Sequence, residues 1–336
     1  MKTDTILLDH GSGGRLSHQL FTSLILPAFE NPALSEMHDG AMVDMDGRRV
    51  AFSTDTYVVD PIFFPGGDIG DLAINGTVND IAMCGATPLF LSVGFVLEEG
   101  LPLAHLGRIL NSMRAAAERA GVKVVTGDTK VVPRSAADKI FVNTSGIGLI
   151  PEGVEISSNR ARPGDEIILS GTIADHGATI LIQREGLHFE SAVTSDTAPL
   201  NHMVHNMLAV CPHVHVLRDP TRGGVGTALN EIAETSNVGI KIFEDRIPVR
   251  DDVSGICELL GLDPLYVANE GKLLAFVRPE DTNDVLTAIK KDSHGANACV
   301  IGEVLNDHQG RVYLETPVGG NRIVDMLTGE QLPRIC

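Results

Sequence analysis

Tryptophan is missing from this 336-residue chain, and only 4% of its residues are aromatic. Its cores must be packed from Ala, Val, Ile and Leu, within a hydrophobic share of 43% and with 35 glycines to form turns. That is the composition of an ordinary globular enzyme. No run of Lys and Arg offsets a formal charge of −18, from 26 basic and 44 acidic residues. The field would repel a phosphate backbone, so nucleic acid is not an expected partner. No window holds 18 uninterrupted apolar residues, and the apolar stretch before Asp9 is too short for a signal peptide. The expectation is a cytoplasmic protein without a membrane partner. The five cysteines (Cys84, Cys211, Cys257, Cys299 and Cys336) are odd in number and lack C-x-x-C spacing. Neither a disulfide framework nor a zinc ribbon follows. Cys84 and Cys299 stand in apolar surroundings and read as small core residues, whereas Cys336 is the last residue and has no core of its own.

The length exceeds what one core usually organises. Both halves mix strands with long helices, which makes the fold class α+β with two layered domains. The turn-rich "PEGVEISSNRARPGD" marks their connection, giving domains at 1–153 and 154–318. From residue 319 the periodicity fades and a mobile tail is expected, with Gly319–Gly320 as its hinge and Pro333 stiffening its end. In the first half, helical spacing covers "DIGDLAINGTVNDIAMCGATP", with Asp68 as N-cap and Gly85 as C-cap, and its polar face carries Asn75, Asn79 and Asp80. "LAHLGRILNSMRAAAERAG" is the clearest amphipathic helix. A polar turn is expected at Ser53–Thr56 and a sharp one at Gly127.

Acidic residues recur at strand ends and turns: Asp55, Asp80, Asp128 and Asp219. Any one of them alone is more often a turn former, but carboxylates gathered at one end of a sheet suit Mg²⁺ with nucleotide phosphates. "HGSGGRL" (His10 to Leu16) and "RGGVGTAL" (Arg222 to Leu229) both open helices, where bare backbone N–H groups can approach phosphate. Neither fits the P-loop or the Rossmann spacing. Lys130, and Asn269, Glu270 and Lys272 in "ANEGKLL", are candidates for proton transfer, Glu270 being the better base on intrinsic grounds. "CPHVHVLRD" has no second ligand pair and reads as structural.

With "HGSGG", "STDTYVVDPIFFPGGDIG", "NGTVNDIAMCGA", "VTGDTKVV", "RDPTRGGV", "ANEGKLL" and the final "PRIC" in order, the sequence resembles the HypE family of hydrogenase maturation factors. That family sits in the wider ATP-using group of aminoimidazole ribonucleotide synthetase, thiamine monophosphate kinase and selenophosphate synthetase. The resemblance implies a homodimer whose N-terminal domains pair through their sheets, with ATP and Mg²⁺ in a cleft between domains. It implies that the partner HypF carbamoylates the terminal cysteine. ATP-dependent dehydration then yields a thiocyanate, and the HypC–HypD complex receives the cyanide for the iron of [NiFe]-hydrogenase. Carried onto matching positions, Asp55, Asp80, Asp128 and Asp219 hold Mg²⁺. His10, Gly11, Ser12, Gly13, Gly14, Asn79, Arg222, Gly223 and Gly224 meet the nucleotide. Lys130 and Glu270 deprotonate the group on Cys336, and Arg334 offsets the terminal carboxylate. The alternatives are a carrier that only shuttles a group on Cys336, or another kinase or synthetase of the same group.

Overall fold

Alternation sets the first sheet. Along Val50–Tyr57, Ala51, Ser53 and Tyr57 are buried while Phe52, Thr54 and Thr56 face outward, the period of two that a strand with one covered face requires. The computed structural model describes residues 5–185, 193–329 and 334–336. The chain starts with a 3-10 turn (Leu8–Gly11), α1 (Arg15–Leu20), a π turn (Phe21–Ile25), α2 (Leu26–Phe29) and α3 (Pro32–Ser35). There follow β1 (Ala41–Met45), β2 (Arg48–Tyr57), a ribbon of β3 (Phe63–Phe64) and β4 (Gly67–Asp68), α4 (Ile69–Met83) and β5 (Thr87–Glu98). α5 (Leu103–Ala120), β6 (Lys123–Val132) and β7 (Ile140–Leu149) complete this half. The sheet runs β1-β2-β7-β5-β6, antiparallel except for β5 beside β6. The expected turns at Ser53–Thr56 and Gly127 do not exist. β2 and β6 run straight through both, because the backbone there keeps its ladder pairing, β2 with β7 and β6 with β5.

Residues 150–165 contain neither helix nor strand. Beyond them lie β8 (Glu166–Leu169), α6 (Asp175–Glu185), α7 (Asn201–Val210), β9 (Val216–Arg218), α8 (Gly224–Ser236), β10 (Gly239–Phe243) and α9 (Asp251–Leu260). Then come β11 (Leu274–Val277), α10 (Thr282–Lys290), β12 (Cys299–Leu305), β13 (Arg311–Glu315) and β14 (Asn321–Val324). The second sheet is ordered β14-β13-β10-β12-β8-β11-β9. Ordered structure therefore passes residue 319, where a tail was expected. Gly319 and Gly320 form the hairpin turn between β13 and β14, closed by Thr316 N–H to Gly320 O at 2.7 Å and Gly319 N–H to Thr316 O at 2.8 Å. They are not a hinge. Pro333 falls outside the described residues.

The largest apolar cluster joins the halves. Ile69, Ile74, Ile81 and Leu91 share it with Met203, Leu217, Ala275 and, from the far end of the chain, Ile335 and Cys336. α4 is buried on nearly every side, its polar Asp71, Asn75, Thr77 and Asn79 included, so it is a core helix whose polar groups must find partners inside the protein.

Candidate active site between the two halves

α4 delivers two of the expected residues and ties the halves together. Asp68 caps it through Oδ1, accepting from Gly70 N–H at 2.9 Å and Asp71 N–H at 3.1 Å, as a side-chain oxygen at this position should. One turn before its end, the Asn79 amide donates to Ala198 O at 3.0 Å and Glu270 O at 3.2 Å and accepts from Leu200 N–H at 2.8 Å. Its hydrogen bonding is thus spent on backbone, and this corrects the expectation that Asn79 meets the nucleotide. It sets the position of Glu270.

The next residue of the helix, Asp80, opens into a cleft of about 620 Å³ lined also by Asp39, Asp55, Asp219, Arg218, Arg222 and Gly13, a size suited to a small ligand. Ser53 Oγ donates to Asp80 at 2.6 Å. Burial, compounded by the negative neighbours Asp219 and Asp55, pushes the Asp80 carboxyl well up. Asp219 is raised well above its usual range by burial and by Asp39, and Asp55 is raised by burial. Asp39 is pushed up to about 6 by burial. Arg218 is already committed, with Nε 2.9 Å from Asp39 and one terminal nitrogen 2.6 Å from Glu231. Asp55, Asp80 and Asp219 therefore crowd three carboxyls together, opposed by Arg222 at Asp55 and by the already paired Arg218 at Asp219. Among the described residues no three of His, Cys, Asp or Glu are gathered closely enough to hold a metal by themselves. The donor set therefore fits an ion that takes one or two carboxylates and completes its shell with phosphate oxygens, the habit of Mg²⁺.

The glycine-rich start closes one wall. Arg222 donates to Gly11 O at 3.1 Å, and a Cβ on Gly13 would strike Arg222. Gly13 and Gly223 both adopt positive φ, +77° in each, which glycine accepts at little cost. His10 is buried; its Nδ1 accepts from Leu7 N–H at 2.9 Å, so the proton sits on Nε2, which has no partner among the described residues.

The end of the chain lies against this cleft, with Arg222, Asp55 and Asp80 of its lining acting on Cys336. Cys336 is only 8% exposed. One oxygen of its terminal carboxylate accepts from Val58 N–H at 2.8 Å, His176 Nε2 donates to Ile335 O at 2.8 Å, and Arg184 donates to Arg334 O at 2.9 Å. The Arg334 side chain donates to Val58 O at 2.9 Å and pairs with Asp138. Arg334 is therefore a clasp for the chain and does not offset the terminal carboxylate as expected. The cation beside the thiol is Arg222. Burial pushes the Cys336 thiol up to about 12, against the pull of Arg222. Glu270, also buried, is raised well above the carboxylate range, first by desolvation and then by Asp196, Asp219 and Asp55.

The structure thus brings together Asp55, Asp80, Asp219, Arg222, Glu270, Cys336 and the His10–Gly14 segment. It does not bring Asp128 or Lys130 to them. Asp55, Thr144, Val93 and Gly127 stand in one row across β2, β7, β5 and β6, so Asp128 lies about 14 Å away, three strand spacings, and points to the opposite face. Its carboxylate instead pairs with Lys130 Nζ at 2.5 Å in solvent. Gly223 and Gly224 pack against Thr227 and the Leu265–Val267 turn. His215, in the loop read as structural, bonds Asp165 at 2.8 Å. Sequence reasoning missed Asp39, His176, Asp196 and Arg218. Of these only Arg218, one residue before Asp219 in "RDPTRGG", stood beside a recognised signal.

Residues 37–150 match the domain described as AIR synthase related protein, N-terminal domain, and residues 162–315 the corresponding C-terminal domain. Carbamoyl dehydratase HypE of Azotobacter vinelandii is 52% identical over all of this chain and 98% of its own length. The Escherichia coli K12 protein of the same name is 47% identical over 99% of this chain and all of its own. Among solved structures, HypE in complex with ATP superposes with a TM-score of 0.84 at 52% identity, covering 99% of this chain and 100% of that one. The HypE–HypF complex gives a TM-score of 0.88 at 45% identity over 92% and 99%. With its two AIR synthase related domains and about half its residues shared end to end with these proteins, the chain belongs to the HypE family of carbamoyl dehydratases.

Proposed function

We propose that the dehydration takes place on the thiol of Cys336 while the last three residues occupy the cleft, with ATP as the water acceptor. The observation that carries this reading is the seating of Cys336 beside Arg222, Glu270 and Asp55. The carbamoyl oxygen attacks the γ-phosphorus and ADP leaves. One N–H proton is lost as the oxygen is phosphorylated, Glu270 removes the second, and phosphate departs as the C–O bond breaks and C≡N forms. Thiocarbamate plus ATP thus gives thiocyanate, ADP, phosphate and a proton. Phosphorylation is needed because an amide oxygen leaves poorly. Arg222 lies where negative charge develops, and such preset charge is a large part of catalysis. Asp55, Asp80 and Asp219 would hold Mg²⁺, which would supply positive charge against the phosphates. The His10–Gly14 segment would meet the phosphates, for which the Nε2–H of His10 is the matching donor.

Loading Cys336 with a carbamoyl group and adding ATP should remove one water, read by mass spectrometry of the C-terminal peptide. A carrier that only shuttles its group would keep the mass unchanged. HypF, seen in complex with a relative, is the proposed carbamoyl donor and HypC–HypD the proposed acceptor. Among the described residues no helix is long and apolar enough to cross a membrane.

The carboxylate cluster makes a prediction about stability. A carboxyl raised in the folded state binds its proton more tightly than in the unfolded chain, so stability is full below the unfolded value and falls as pH climbs through the folded one. With Asp39 near 6 and Asp80 and Asp219 also raised, the metal-free protein should melt several degrees lower at pH 8 than at pH 5. Mg²⁺ with ATP should recover more at pH 8. Scanning calorimetry at the two pH values checks both signs.

The outer face of the first sheet supports a homodimer. Phe52, Ile147 and Phe90 stand in one row, 46%, 40% and 40% exposed. An apolar area of this kind on a soluble chain marks an interface. Pairing there would also give Asp128 and Lys130 a site to serve, in the cleft of a second copy. Phe52→Asp should yield a monomer by sedimentation equilibrium, and an unchanged dimer would reject this face.

A further inference from the structure

Residues 193–200, just before α7, contain neither helix nor strand, yet two adjacent side chains in them reach opposite ends of the reacting pair. Ser195 Oγ lies 2.7 Å from His176 Nδ1. Because the carbonyl of Ile335 can only accept, His176 must donate from Nε2, which leaves Nδ1 to accept the serine hydroxyl. Thr197 N–H donates to the same oxygen at 3.2 Å, and Ser195 N–H is fixed on Pro65 O at 2.9 Å. The direction of the chain from Thr197 through Ser195 and His176 to the Ile335 carbonyl is therefore determined at each atom. His176 is wholly buried and kept neutral, its basicity lowered by that burial.

Asp196, the next residue, holds the other partner. Its carboxylate accepts from Glu270 N–H at 3.1 Å, Gly271 N–H at 3.3 Å and Lys272 Nζ at 2.9 Å. The Lys272–Asp196 pair is almost completely shielded, with side chains 9% and 5% exposed. The approach is so close that a Cβ on Gly271 would fall onto the Asp196 carbonyl. Three donors on one ionised carboxylate make strong charge-assisted bonds, and breaking a buried pair of this kind is costly.

We propose that Ser195 and Asp196 are positioning residues that set the register between Cys336 and Glu270, one gripping the thiol-bearing segment through His176 and the other gripping the Glu270–Gly271 backbone with Lys272. Neither touches the carbamoyl group. Their adjacency converts two separately held groups into one rigid arrangement, so a shift of either arm is felt as misalignment of the reacting atoms. Misalignment of about 1 Å costs on the order of 100-fold in rate. The proposal rests on Cys336 as the site of dehydration and on Glu270 as the base.

The test uses the full-length protein carbamoylated on Cys336 and follows single-turnover water loss by mass spectrometry, with ATP affinity measured separately by calorimetry. Wild type must first lose water; if it does not, the dehydration reading itself fails. Given that it does, Asp196→Asn should slow the step on the order of 100-fold with ATP affinity unchanged. Lys272→Met should behave alike, and Lys272→Arg should recover most of the rate. The groups facing Glu270 are Asp196, Asp219, Asp55, Arg222, Tyr57 and Cys336. Removing the charge of Asp196 alone should move the acid limb of the rate profile to lower pH, which loose packing would not do. Ser195→Ala removes one hydroxyl and keeps the test open if Asp196→Asn does not fold; it should slow water loss about tenfold, through the seating of the chain end, with the acid limb in place. Wild-type rates in Asp196→Asn and Ser195→Ala, or losses that run in parallel with ATP affinity, overturn the proposal.

Discussion

Replacing Glu270 with glutamine is expected to slow water loss from carbamoylated Cys336 by 10²–10⁴-fold, the usual contribution of a positioned base. Glutamine keeps the shape, and the Glu270 carbonyl that Asn79 holds is main chain, so the packing survives. The accompanying pH dependence is the sharper signature. Burial raises the Glu270 carboxyl well above the ordinary range, with Asp196, Asp219 and Asp55 adding to the shift. A base works only when deprotonated, so the wild-type rate should climb with pH along a limb lying above that of a solvated glutamate. In Glu270→Gln that limb should vanish, leaving a flat residual rate. Quenched-flow sampling with mass spectrometry over pH 5 to 9 would measure both. Full activity in Glu270→Gln removes Glu270 from the chemistry.

The second large effect concerns the thiol. A seated Cys336, pushed up to about 12 by burial, holds at pH 8 roughly 10³-fold less thiolate than a free cysteine, and the thiolate is the reactive form. Alkylation of Cys336 by iodoacetamide should therefore be slower than that of a free peptide thiol by up to about 10³-fold. His176→Ala removes the grip on Ile335 O and Arg334→Ala the clasp on Asp138 and Val58 O. Each should accelerate alkylation towards the free-thiol rate. Peptide mapping against time gives the rate constants. Wild-type Cys336 reacting like a free thiol would mean that the chain end spends little time in the cleft.

Periodicity made the elements legible, and motif order made the family so. α4 was readable from Asp68 to Gly85 because its cap and stop are local signals. Asp55, Asp80 and Asp219 could be grouped because each stands in a short acidic context. Asp128 stands in a similar context, and no local signal reveals that β6 points it to the other face; that depends on three strand pairings. Asn79 was misread for a related reason, since its partners lie 119 or more residues away in sequence. His176 and Asp196 carry no motif. Their significance comes from being buried beside Ile335 O and the Glu270 backbone, contacts that only the folded chain creates.

Three contacts in the seat of the last three residues hold their main chain: Val58 N–H on Cys336 O, His176 on Ile335 O and Arg184 on Arg334 O. None of these touches the sulfur. The same grip therefore applies whether the thiol is bare, carbamoylated or converted to thiocyanate. An unloaded arm is then an intramolecular competitor for its own active site. Only the neighbours of Sγ, Arg222 and Glu270 foremost, can give the loaded arm preference and the product arm a reason to leave.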